Sequence, residues 1–359
     1  MQASIDHIVG QAQRRRTRFF TILGCVFVFT LCCATLGMSY GAVAIPAEHV
    51  WEVIFAHLNQ RNAIVPQSSD NIIWLIRAPR VSVAGLIGSI LALIGVVTQA
   101  LVRNPLADPY VLGIESGAAA GAVAVITLVG SIHSSVHTPT LGGLFGALAT
   151  VALVFGLSYQ HGAIVPLRLL LIGVACSYAL SGFTTFMQYS THDPAGQAAI
   201  LFWLIGGLGG ADWAMVPPLL LTLLVSTLIL FRSARALNLL AMGDATALSV
   251  GIQPDRVRVL LFVLTALAVA VAVTAVGPIG FVGLVVPHIG RLIVGADHRR
   301  LIPFVLIAGA AYLIAVDLLA RVIFAPSEVP VGVLTAVIGA PVLIWLIRRR
   351  DRTLGGGRI

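Results

Sequence analysis

Residues 77–122 read RAPRVSVAGLIGSILALIGVVTQALVRNPLADPYVLGIESGAAAGA. Positions 81–102 carry no charged side chain. At 1.5 Å of rise per residue, a helix of about 20 apolar residues crosses the hydrocarbon core of a bilayer. A second apolar run, 111–130, begins almost at once, and its one acid, Glu115, falls near a helix start, where the dipole favours a carboxylate. Between the runs lies the polar block RNPLADP. Pro105 and Pro109 cannot continue a helix, and each biases the residue before it, Asn104 or Asp108, towards extended geometry. Irregular backbone at membrane depth is tolerated where it is buried in protein or lines a cavity. The stretch therefore predicts two membrane helices, joined either by a plain tight turn or by one that borders a cavity.

Working outward, further apolar runs occur at 19–40, 140–159, 167–189, 213–231, 258–276, 281–295, 302–320 and 331–347. With the first two they make an all-α membrane protein of ten transmembrane helices. The predicted organisation is a tail at 1–18, one membrane domain at 19–350 and a tail at 351–359. The composition agrees: 58% of residues are hydrophobic and 10% charged, against about 25% charged in soluble domains. A soluble enzyme, a disordered chain and a nucleic-acid binder all need more charge. The apolar runs are continuous, not alternating, which excludes a β-barrel.

All 22 basic residues are arginine. Without lysine there is no GxxxxGK[ST] phosphate loop and no Schiff-base chemistry, so the chain is not expected to be an enzyme. The four cysteines, Cys25, Cys32, Cys33 and Cys176, sit in apolar runs and read as buried hydrophobes. Arg14, Arg15, Arg16 and Arg18 precede the 19–40 run, which is longer than a signal-peptide core, and predict an uncleaved first span with a cytoplasmic N-terminus. Loops 103–110, 160–168, 232–258 and 291–300, with both termini, then lie inside by the positive-inside bias. Only Arg61, Arg77, Arg80 and Arg321 remain outside, and these exceptions call for a reason.

Smaller features complete the reading. Residues 46–57 (PAEHVWEVIFAH) predict a short helix at the outer surface. Gly113, Gly117 and Gly121, and Gly142 and Gly146, have the small-xxx-small spacing of close helix packing. The loop 232–258 holds two helical patches, LNLLAMG and DATALSVG, each ended by a glycine (Gly243, Gly251). Exposing Leu237, Leu239, Leu240 and Leu248 there would demand a partner surface. Asp317 and Arg321, at i and i+4, are set to pair on one helix face. His288 reads as a packed histidine within a span. His133 and His137 read as solvated loop residues, and no metal site is expected.

Three long stretches, RNPLADPYVLGIESGAA, GPIGFVGLVVPHIGRLIVGADHRRL and PVGVLTAVIGAPVLIWL, closely resemble the FecCD family of ABC-transporter permeases, over about 74–350. The resemblance implies a multi-pass protein of the bacterial inner membrane. It further implies a second permease chain, identical or paralogous, two ATPase subunits carrying ATP and Mg, and an extracytoplasmic binding protein. By position, Arg77, Arg80 and Arg321 match arginines that receive acidic residues of the binding protein; the alternative is snorkelling at the interface. Asn104 and Leu106 match the cytoplasmic gate. Leu239, Leu240, Gly243, Asp244 and Gly251 fall in the segment 238–251 that matches the ATPase-coupling helices. The helix 167–189 and a short helix at 195–206 match the pore lining. The cargo implied is an iron chelate, a ferric siderophore first, then haem or cobalamin. An ion-coupled secondary transporter would want a buried mid-membrane carboxylate, and an intramembrane metalloprotease a motif such as HExxH; the sequence offers neither pattern.

Overall fold

A computed structural model of the chain describes residues 2–129, 138–160, 163–164, 166–325 and 327–355. The described residues are helical almost throughout. The helix α1 (Gln2–Ser39) is followed by α2 (Ala47–Leu58), the short surface helix predicted at 46–57, with Pro46 before its first turn. Next, α3 (Gln67–Asn71) runs through a π-helical stretch, Ile72–Arg77, straight into α4 (Ala78–Val102). A loop and a 3-10 turn, Pro109–Leu112, lead to α5 (Ile114–Val129) and then α6 (Thr138–Ser158). A tiny antiparallel ribbon, Tyr159–Gln160 against Ala163–Ile164, occupies the loop before α7 (Pro166–Ser190) and α8 (Pro194–Ile205). The chain ends with α9 (Val216–Met242), α10 (Asp244–Ser249), α11 (Pro254–Val276), α12 (Val282–Val294), α13 (His298–Val322) and α14 (Val331–Gly355).

Each of the ten apolar runs forms a helix. Among the described residues seven helical segments are long and apolar enough to cross a membrane; α5, α12 and the apolar part of α14 are shorter. The helices overrun the predicted tails: α1 already begins at Gln2 and α14 continues to Gly355. The span that begins at 81 in the sequence is preceded by helix from Gln67 onward. Pro79 cannot donate to the carbonyl four residues back, and the wider π turn sits just before it.

The hub is α4, which packs against α9, α11, α12 and α13. Along its most apolar window 83% of residues are buried, against 6% along α1, so α4 is core and α1 is peripheral. Contact is closest where glycines meet. A Cβ on Gly95 would lie 1.8 Å from the Gly283 carbonyl oxygen, and one on Gly121 2.1 Å from that of Gly142. The small-xxx-small spacing of α5 and α6 thus does what it predicts: backbones touch where side chains are missing.

Candidate functional site

The two ends of α4 gather the charged residues. At its N-terminal end, Arg77, Arg80 and Arg321 converge, each only 5–6% exposed. Asp317 of α13 sits between two of them. Its Oδ1 accepts from Arg80 Nε at 2.9 Å, and its Oδ2 lies 3.1 Å from Arg321 Nη2. The i, i+4 pairing of Asp317 with Arg321 is as the spacing predicts. Arg80 Nη1 also donates to both carboxylate oxygens of Glu328, at 3.1 and 2.9 Å. Arg77 Nη1 donates to the Met38 and Ser39 carbonyls at 2.8 and 2.7 Å, and its Nη2 to that of Val43. Arg321 Nη1 donates to the Tyr40 carbonyl at 3.0 Å.

These contacts have a physical reason. The helix α1 ends at Ser39, and the last carbonyls of a helix have no partner within it and carry the negative end of its dipole. Arg77 and Arg321 cap that end. All three guanidinium groups bond within the chain instead of reaching towards water. Sequence reasoning brought the three arginines to one end but missed Glu328 and the cap on α1. Neither has a local signal: both join residues from distant parts of the chain.

At the other end of α4, Arg103 takes left-handed backbone (φ 53°) and starts the RNPLADP loop. Asn104 Oδ1 accepts from the Leu106 amide at 3.0 Å, a local turn. Asp108 accepts from the Tyr110 amide at 2.9 Å and so caps the 3-10 turn; burial pushes this carboxyl above its ordinary range, and the amide bond offsets part of that. Asn104 is exposed and Leu106 half-buried.

The coupling segment differs from expectation. LNLLAM is not a separate helix but the last turns of α9, which runs unbroken to Met242. Leu237 and Leu240 are buried in the chain's own core, because α9 packs on α4 and α11. Leu239 is half-buried. The exposed apolar surface here belongs to Met242, Leu248 and Val250. Gly243 (φ 121°) and Gly251 (φ 83°) bracket α10 in the backbone region that favours glycine.

Asp244, the first residue of α10, joins this segment to both neighbours. It pairs with Arg103 at the end of α4, and both its oxygens accept from Arg258 Nη2 of α11, at 2.7 and 2.9 Å. Partial burial would raise the Asp244 carboxyl, but Arg258 and Arg103 hold it below the ordinary range. Nearby, Asn238 donates to Asp297 at 2.8 Å and accepts from the His298 amide at 3.0 Å, tying the end of α9 to the start of α13. Arg103 and Arg258 were not singled out from sequence; only their place in a basic loop could have marked them.

The helix α7 exposes Tyr178, Phe186 and Tyr189, and α8 exposes Phe202. The short helix predicted at 195–206 is α8. His288 is half-buried in α12. His133 and His137 lie outside the described residues. Among the described residues no three His, Cys, Asp or Glu side chains gather as a metal site would require.

Comparison with known proteins places the chain. Residues 26–349 match the FecCD transport family. The cobalamin import system permease protein BtuC of Halobacterium salinarum is 38% identical over 80% of this chain and 76% of its own length. The hemin transport system permease protein HmuU of Yersinia pestis is 38% identical over 79% of this chain and 85% of its own. The Fe(3+) dicitrate transport system permease protein FecD of Escherichia coli K12 is 36% identical over 88% and 95%. A solved inward-facing ABC transporter of metal-chelate type superposes with a TM-score of 0.79 at 30% identity, covering 92% of this chain and 99% of that one. With a match across nearly its full length and helices that cross a membrane, the chain belongs to the FecCD transport family, as a multi-pass inner-membrane permease.

Proposed function

We propose that the chain is the transmembrane permease subunit of a binding-protein-dependent ABC importer, and that its cargo is an iron chelate of the ferric siderophore class. The observation that carries the importer reading is the family match over residues 26–349. The similarity to FecD, which covers 88% of the chain, favours an iron chelate. The similarities to HmuU and BtuC make haem and cobalamin the alternatives.

On this reading the helices of all ten apolar runs cross the bilayer, the shorter α5, α12 and α14 by virtue of their neighbours, and both termini are cytoplasmic. A second permease chain completes the pore, with α7 and α8 lining it. Two ATPase subunits bind ATP and Mg and dock on α10 and the exposed Met242, Leu248 and Val250. This chain performs no covalent chemistry. Arg80 and its neighbours face the binding protein, and Asn104 and Leu106 close the cytoplasmic mouth. Alternating access follows if movement of α10 reaches the RNPLADP loop, and the Asp244–Arg103 pair supplies a direct link.

The test is uptake. The permease is reconstituted in liposomes with its ATPase and binding protein, and ATP-dependent accumulation of a ferric hydroxamate, ferric dicitrate, haem and cobalamin is compared. The account expects ATP-dependent uptake with a ferric chelate preferred. Preference for haem or cobalamin would overturn the cargo, and ion-driven uptake without ATP the importer itself.

A further inference from the structure

The arginines at the outer end of α4 differ in one respect. Arg77 donates to carbonyls at and just past the end of α1, and Arg321 to the Tyr40 carbonyl and Asp317. Arg80 alone lines a cavity, of about 470 Å³, between the end of α8, the end of α11 and the start of α14. Its rim is exposed: Phe202, Gly209, Gly210 and Glu328 all face outward. A Cβ built on Gly210 would meet nothing within 4 Å, and one on Gly209 only the Glu328 carboxylate, at 4.0 Å. A side chain from outside therefore has room to enter and reach Arg80.

Arg80 holds two carboxylates of unlike exposure. Asp317 is fixed in the core, with its side chain 1% exposed; the Glu328 side chain is 47% exposed. Glu328 stands on the short connection between α13 and α14, held near Arg80 by the bond from the Val329 amide to the Ala320 carbonyl at 3.0 Å. With Glu328 in place the five charged groups sum to one positive charge; with Glu328 displaced they sum to two.

We infer that this cavity is the acceptor for an acidic side chain of the binding protein, and that Glu328 is an internal stand-in that occupies Arg80 until the partner's carboxylate replaces it. This rests on the binding-protein reading above and refines it. Of the three matched arginines, Arg80 makes the contact, and Arg77 and Arg321 hold its surroundings. The exchange swaps one half-exposed ion pair for another, so it costs little and reverses readily.

The test is binding of the cognate binding protein to the permease–ATPase complex in nanodiscs, over a salt series. Glu328→Gln should lower Kd by about two- to fivefold, the range that release of one half-exposed ion pair allows. It should also steepen the salt dependence, because more unneutralised charge is screened. Gly209→Phe, which fills the mouth without altering a charge, should weaken binding. If Glu328→Gln leaves Kd and salt slope at parent values while Arg80→Lys weakens binding, Arg80 docks but Glu328 is no stand-in, and the inference fails alone. If Gly209→Phe and Arg80→Lys both bind like the parent, the docking reading fails with it.

Discussion

Both ends of α4 carry arginine–aspartate clusters, but they are built differently. At the Arg80 end the two pairs made by Asp317 are sealed: the side chains of Arg80, Arg321 and Asp317 are 7%, 4% and 1% exposed. At the Arg103 end the central pair is open, with Arg103 and Asp244 43% and 41% exposed. Attraction in a sealed site is strong but comes with a desolvation cost, so removing one partner leaves a stranded charge. In an open site water replaces the partner, and the pair contributes about 0–1 kcal/mol. The first cluster therefore belongs to the architecture. In the second, the Arg103–Asp244 pair adds little to stability, and its value lies in what it connects.

The largest expected effect comes from breaking the sealed cluster. Asp317→Ala leaves Arg321 without a carboxylate and Arg80 with only the half-exposed Glu328, and should cost about 3–5 kcal/mol. Thermal unfolding of the purified permease in detergent should show a large drop in Tm. An unchanged Tm would erase the distinction between the two ends.

Next in size is Gly243→Arg. No neighbouring atom obstructs a side chain there, but φ of 121° strains any residue with a Cβ. The substitution should re-aim α10, abolish co-elution with the ATPase and remove substrate-stimulated hydrolysis, with Tm close to the parent. Retention of both would remove the coupling role from this segment.

Asp244→Asn is the sharper version of the same comparison. Arg258, 8% exposed, keeps Asp255 at 3.6 Å, so the loss of stability should be smaller than for Asp317→Ala; hydrolysis should continue while transport falls, because α10 no longer pulls on Arg103. Asp244→Glu should restore part of the coupling. Equal loss of hydrolysis and transport would make Asp244 a docking residue instead of a link. The smallest structural change is Leu106→Ala in the half-buried loop. It should fold normally and let chelate leak passively from loaded liposomes; a tight mutant with normal transport would argue against a gate at Leu106.

The two regions were also unequally legible in the sequence. Apolar runs fixed the helices, since length and hydropathy are local properties. The Asp317–Arg321 pair was readable because i, i+4 spacing is local too. The arginine cap on α1 was not, because Met38 and Arg77 meet only after the bundle has formed. The same holds for Glu328 on Arg80 and for Asp244 between Arg103 and Arg258. The end of α9 was misread for a related reason. Leucines at 237 and 240 look equally apolar whether they await a partner or are already buried, and tertiary packing decided for burial. At Gly243 and Gly251, by contrast, the glycines marked real breaks, since backbone strain is written into residue type.

The central claim is that the two ends of α4 face opposite sides of the membrane, with Arg80 outside and Asp244 inside. Gln60 and Gln253 are exposed; Gln60 follows α2, which packs on the π-helical stretch leading into α4, and Gln253 directly precedes α11. Cysteines are introduced singly at these positions in a background lacking Cys25, Cys32, Cys33 and Cys176, and intact cells are treated with a membrane-impermeant maleimide. The account predicts labelling at position 60 and none at 253 until the membrane is permeabilised. Labelling at 253 but not at 60 in intact cells would contradict the orientation, and with it both the docking and the coupling assignments.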